Sequence, residues 1–258
     1  MTSILQALVL GIVQGLTEWL PVSSSGHLVI FQNLFGLSQQ NVIFDLFLHL
    51  GSLLVVLYVF REKIKQVVLS FFVNKYKKYR TMAYLVILGT IPTALIGYFF
   101  QDFFEAMFSS LVPVGVALLI TGVLLYFCER FERKKELNPI SALVVGLVQG
   151  IAIMPGISRS GSTIAAAQFM GVKKEEALNF SFLLFIPAIL GASVLQLSKT
   201  DVSNIELAPV IIGTLAAVVV GYFALTLLVK LVKQGKLKMF SYYCWAVGIL
   251  AVALGYIL

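Results

Sequence analysis

The sequence predicts an all-α integral membrane protein, an inverted-topology repeat of ten helical segments: six full transmembrane helices and two re-entrant helical hairpins. Three observations predict it. Of 258 residues, 59% are hydrophobic and 12% charged, with mean hydropathy +0.96. Soluble domains carry about 25% charged residues, so this chain lacks the polar surface of a water-soluble globule. Apolar stretches alternate with basic loops, and one polar motif occurs twice. The same composition excludes disorder and a disulfide scaffold. Cys128 and Cys244 have no metal-ligand spacing and are expected to be reduced within helices. The Met1–Gly15 start lacks a basic n-region and a cleavage site, so it reads as mature sequence.

Apolar segments fall at 1–20, 27–37, 42–60, 82–100, 111–128, 140–154, 158–171, 177–197, 208–229 and 240–258. A crossing needs about 20 such residues, so 42–60, 82–100, 111–128, 177–197, 208–229 and 240–258 are read as spans. Segments 27–37, 140–154 and 158–171 are too short, and 1–20 is interrupted by Gln6, Gln14 and Glu18. These four pair as two hairpins whose turns lie partway into the membrane. Non-helical backbone is tolerated at that depth only where protein or a water-filled cavity surrounds it.

The loops set the orientation. Arg61, Lys63, Lys65, Lys75, Lys77, Lys78 and Arg80 form one basic run, and Arg130, Arg133, Lys134 and Lys135 a second. Lys173 and Lys174 follow, then Lys230, Lys233, Lys236 and Lys238, which leaves only Arg159 and Lys199 elsewhere. The loops at 101–110 and 198–207 carry Asp102, Glu105, Asp201 and Glu206. The positive-inside rule then places the basic loops in the cytoplasm and both termini outside. The net charge of +7 is therefore a topology signal, with membrane lipids of the anionic inner leaflet as its contact. No nucleic acid partner is expected, because no aromatic stacking platform accompanies the charge.

Gly11–Leu28 reads GIVQGLTEWLPVSSSGHL, and Gly146–Thr163, 135 residues later, reads GLVQGIAIMPGISRSGST. The shared Gln-Gly and Ser-x-Ser-Gly at one offset mark a duplication, and Gly36 and Gly171 keep the same spacing. Residues 1–258 thus form a single membrane domain, with 1–134 the first repeat and 135–258 the second. Three spans separate the hairpins, and an odd number inverts the second copy. The first hairpin would dip in from outside and the second from inside, bringing both turns to one central site.

Gly11, Gln14, Gly15 and Glu18 share one helix face. Pro21 ends that helix, Val22–Gly26 is expected to turn with Ser24 at its apex, and Ser25 or Gly26 to cap the next helix ahead of His27. In the second copy Pro155 and Gly156 break the helix, Ser158–Gly161 is expected to turn, and Ser162 and Thr163 to begin the next helix. Two helix N-termini would then aim free N–H groups and partial positive charge at one centre, which suits an anion. Arg159 adds a planar fork matched to phosphate oxygens. Hydroxyls of Ser23, Ser24, Ser25, Ser158, Ser160, Ser162 and Thr163 supply hydrogen bonds. A buried Arg, Glu and His each cost at least ~2.5–3.5 kcal/mol in a bilayer centre, which calls for a partner or a task.

These stretches resemble the signature regions of the undecaprenyl pyrophosphate phosphatase family, also called the bacitracin-resistance family. Gln14 to Glu18 and Pro21 to His27 are similar to its (E/Q)xxxE and PVSSSGH motifs, and Pro155 to Thr163 to its PGxSRSGxT motif. The resemblance covers the whole chain. It implies a phosphatase of the bacterial plasma membrane that removes one phosphate from undecaprenyl diphosphate, recycling the cell-wall lipid carrier, with its site open to the outer face. It also implies a divalent cation, Mg or Ca, with Glu18 as its protein ligand between carboxylate and diphosphate. Gln14 stands where the family pattern allows Glu.

On that reading Arg159 and the helix N-termini hold the polyprenyl diphosphate, with Gln14, Gly26 and Gly161 at the same turns. Ser24 is the favoured nucleophile, with His27 as base oriented by Glu18. Attack by His27 itself, or by water, stays open. The rival is a flippase for a phosphorylated polyprenyl lipid, which needs nearly the same anion site. Asp45 and His49 are expected to form a buried hydrogen-bonded pair outside the site. Pro92, Pro113, Pro187 and Pro209 are expected to start or kink helices.

Overall fold

The computed structural model describes residues 2–37, 42–130, 134–199 and 206–257, and Arg133 and Asp201 of the expected loops lie outside them. Among these residues the chain is all helical: α1 (Ile4–Trp19), α2 (Ser24–Leu34), α3 (Val42–Val59), α4 (Arg61–Leu69), α5 (Arg80–Phe99), α6 (Gln101–Met107), α7 (Leu111–Phe127), α8 (Pro139–Ile151), α9 (Arg159–Phe169), α10 (Lys174–Lys199), α11 (Leu207–Gln234) and α12 (Met239–Gly255). Each of the ten expected segments is a helix. Two more were read as loop: α4 in the basic run, and α6 in the acidic one. Their charges masked short helices that turn sharply, α4 by 75° from α3 and α6 by 102° from α7.

Among the described residues three helical stretches are long and apolar enough to cross a membrane, or up to five if each bent pair counts as one span. The chain is a multi-pass membrane protein. Pro113 and Pro209 lie in the first turns of α7 and α11, where the missing N–H has no intrahelical acceptor to lose. Pro92 and Pro187 sit inside α5 and α10.

Helix packing runs between the two ends of the chain. α1 lies against α11, and α8 against α5. Glycine makes both approaches possible: a Cβ on Gly11 would strike the Gly213 carbonyl, and one on Gly146 the Gly89 carbonyl. Without water to drive association, such small-residue contacts are how apolar helices approach closely. Thr93 Oγ1 adds a 2.8 Å bond to the Gly146 carbonyl. α7 and α12 pair in the same way through Gly115 and Gly248. At the centre Trp19 is fully buried, with Phe182 and Phe185 of α10 edge-on at 5.6 and 5.4 Å.

Candidate active site

The two broken-helix turns meet. Ser23 is the N-cap of α2, and its Oγ accepts from Gly26 N at 3.3 Å and from Gly156 N of the other turn at 3.1 Å. In return Ser160 Oγ donates to the Trp19 carbonyl at 3.1 Å. Gly26 lies so close to Gly156 that a Cβ would come within 3.0 Å of its Cα, and Gly161 faces Pro21 in the same way at 2.9 Å. Ser158 caps α9, its Oγ accepting from Gly161 N, while its own N–H donates to Thr121 Oγ1.

Both helices begin earlier than the sequence suggested. Ser23, not Ser25 or Gly26, caps α2, so Ser24 is its first residue rather than the apex of a turn. Likewise α9 starts at Arg159, not Ser162, because Ser158 takes the cap. A serine Oγ one residue ahead of the helix satisfies an N–H that otherwise has no acceptor.

Ser23 is the one non-glycine residue with positive φ among those described (φ 69, ψ 100). Such backbone stores about 1–3 kcal/mol. Ser23→Gly removes that strain while losing the cap and the Gly156 bond, so its melting temperature in detergent is expected to stay near wild type. Ser23→Ala keeps the strain and still strands the Gly156 N–H, a loss of about 1–3 kcal/mol. Equal melting temperatures for the two variants would contradict this.

Glu18 is the hub of the site. Its Oε1 accepts from Arg159 Nη2 at 2.5 Å, and its Oε2 from Ser24 Oγ at 2.5 Å and Gln14 Nε2 at 3.2 Å. Gln14 Nε2 is also 3.3 Å from Ser52 Oγ. The Arg159 guanidinium packs on the Phe185 ring, 3.8 Å from its centroid, a cation–π contact in a place water does not reach freely. Arg159 Nη1, Ser162 Oγ and Gln14 Oε1 are buried with no hydrogen-bond partner among the described residues. Buried polar atoms are nearly always bonded, so these three have hydrogen-bonding capacity to spare beside Glu18 and at the start of α9. Ser25, partly exposed, has its Oγ 3.3 Å from Ser23 Oγ. Thr163 turns away, bonded to the Arg159 carbonyl and to Ser181.

His27 is buried in the first turn of α2 but does not meet Glu18. Nδ1 is 2.8 Å from the Ser23 carbonyl and Nε2 2.8 Å from the Tyr243 hydroxyl. The group hydrogen-bonded to the Ser24 hydroxyl is the Glu18 carboxylate, not His27. The expected Asp45–His49 side-chain pair is also absent. Gln32 Nε2 takes the Asp45 carboxylate, while His49 Nδ1 bonds the Asp45 backbone carbonyl, one helical turn back. His49 Nε2 then faces Glu18 Oε2 at 3.7 Å, which brings this histidine into the site. Its Asp45 spacing drew attention to a local partner, whereas the real one lies on another helix. Phe185, Thr121 and Tyr243 carried no signal in the sequence at all.

The described residues include no cluster of three or more His, Cys, Asp or Glu for a metal ion. One carboxylate, Glu18, stands at the meeting of the turns. A hard cation that takes one or two carboxylates and fills its shell with substrate phosphate and water fits that donor set, whereas an all-protein cage does not.

The family model for bacitracin resistance protein BacA matches residues 7–250. The chain belongs to this family. Among its relatives, one from Halothermothrix orenii is 44% identical, covering 97% of this chain and 98% of the relative. One from Carboxydothermus hydrogenoformans is 45% identical over 96% of each chain, and one from Methanobrevibacter smithii 41% over 96% of each. All three carry the name undecaprenyl-diphosphatase. Both turns described above fall inside the matched stretch.

Proposed function

We propose that the chain is an integral membrane phosphatase that hydrolyses undecaprenyl diphosphate to undecaprenyl phosphate and phosphate. It thereby recycles the lipid carrier of cell-wall synthesis and confers bacitracin resistance. The observation that carries this is a serine hydroxyl hydrogen-bonded to a buried carboxylate, beside an arginine with an unused N–H, in a chain whose relatives bear that name. A binding site alone has no need of the Ser24–Glu18 pair.

In the proposed reaction Arg159 and the N-termini of α2 and α9 hold the diphosphate and stabilise charge on the transferred phosphoryl group. Gln14, Ser25, Gly26 and Ser162 line the same space. Ser24 Oγ bonds to the terminal phosphorus as the bridging P–O bond breaks, and its proton passes to Glu18. Water then displaces the phosphoryl group from Ser24, which recovers its proton from Glu18, while His27 accepts the proton the water loses. A divalent cation, Mg or Ca, would be held by Glu18 and would neutralise phosphate charge.

The architecture that goes with this reading is an inverted repeat with six full spans and two re-entrant hairpins. It lies in the bacterial plasma membrane with the site open to the outer face. Three features support the repeat. Ser23 and Ser158, 135 residues apart, cap equivalent helices. Gly36 and Gly171 both have positive φ. The packing of α1 on α11 mirrors that of α8 on α5.

The test is phosphate release from a polyprenyl diphosphate by purified protein in detergent, with Mg²⁺, with Ca²⁺ and with a chelator. Release in either metal supports the reading. Protein that binds the lipid and releases no phosphate under any of these conditions overturns it in favour of transport.

A further inference from the structure

His27 is held from two sides, and only one of them lies in the sequence motif. Its Nδ1 sits 2.8 Å from the Ser23 carbonyl, which can only accept, so Nδ1 carries the ring proton. That leaves Nε2 as the lone-pair nitrogen of the neutral ring. Tyr243, 216 residues away on α12, places its hydroxyl 2.8 Å from Nε2, so the phenol donates. The two rings lie within 9° of parallel, with centroids 5.6 Å apart. His27 is 4% exposed and Tyr243 45%, so the tyrosine that bonds Nε2 reaches the surface while the imidazole does not.

We infer that Tyr243 is a positioning residue for His27: the Ser23 carbonyl sets the Nδ1–H tautomer, while the phenol, donating to Nε2, holds the ring turned so that the proton His27 takes up arrives at Nε2 through the Tyr243 hydroxyl. The inference rests on the phosphatase reading in which His27 is a base. A base must be both neutral and correctly turned, and the Ser23 carbonyl fixes only one nitrogen. The phenol fixes the other. Tyr243 is tied to the elbow a second time through its neighbour, since Cys244 Sγ lies 3.6 Å from the Pro21 carbonyl. α12 therefore grips the first turn at two successive residues, and the phenol cannot drift from His27 without shifting that contact.

Tyr243→Phe removes the hydroxyl and keeps the ring. Because the ring is half exposed, the variant is expected to melt at the wild-type temperature. Its kcat is expected to fall about tenfold or more with KM within about twofold of wild type, the split of a lost proton-transfer geometry rather than lost binding. In ¹⁵N-histidine-labelled protein, with the His27 signals assigned by their loss in His27→Gln, wild type is expected to show one neutral tautomer, protonated at Nδ1. Tyr243→Phe is expected to keep that tautomer, still set by the Ser23 carbonyl, and to move the Nε2 resonance downfield, as an acceptor nitrogen does on losing its donor. An unchanged His27 spectrum, or a kcat that holds or rises, overturns the inference. If wild type releases no phosphate, the phosphatase reading fails, while the spectrum still decides whether Tyr243 holds Nε2.

Discussion

Arg159→Ala is expected to lose phosphate release by roughly 10²–10³-fold or more, the cost of removing one charged donor from a transferred phosphoryl group. It should also lower the melting temperature in detergent by several degrees. Its partner Glu18 is buried and bonded to Arg159 Nη2 at 2.5 Å, and removing one member of such a pair costs about 3–5 kcal/mol because the other charge is left without a partner. The two effects can be separated. The double variant Glu18→Gln, Arg159→Leu carries no stranded charge, so it should recover most of the stability and none of the activity. Arg159→Lys keeps the charge but not the fork, so it should hold stability better than alanine while recovering little rate. Phosphate release and thermal unfolding, measured on the same four proteins, check this. A double variant as unstable as Arg159→Ala would mean that the pair is not what stabilises this region.

Ser24→Ala is expected to cut kcat by roughly 10³-fold or more, about 4 kcal/mol of barrier. The stability loss should be smaller, about 1–2 kcal/mol for one hydrogen bond, because Glu18 keeps Arg159 and Gln14 as donors. Acid quenching during turnover of a terminally labelled diphosphate separates the routes. An acid-stable phosphoester mapped to Ser24 is the expected product. An acid-labile label on His27 would make the imidazole the nucleophile. More than a tenth of wild-type activity in Ser24→Ala would remove the serine from that role.

Much of this is legible in the sequence. Hydropathy located all ten long helical segments, because an apolar run of that length has few other uses. The duplicated Ser-x-Ser-Gly pointed to two turns sharing one site, and Ser23 and Ser160 do bond across them. What was not legible depended on tertiary placement. Helix starts moved because a serine cap competes with its neighbours on local geometry that spacing does not encode. His49 was assigned to Asp45 by its i, i+4 spacing, yet its outward nitrogen faces Glu18 on another helix. The partners of His27 were misread for the same reason, since Tyr243 is brought to it only by the packing of the last helix. α4 and α6 escaped notice because their charges and short length gave no apolar run to find.

The pairing of α1 with α11 bears on biogenesis. The first hairpin leaves the ribosome long before its main packing partner exists, so its polar face must wait in the insertion machinery or in lipid until nearly the whole chain has been made. α8 meets α5 much sooner in synthesis. The second half of the protein therefore acts as a template onto which the first hairpin closes. A chain cut short before α11 should leave Gln14 and Glu18 without shelter, and quality-control proteases should remove it rather than let it accumulate as a half-built enzyme.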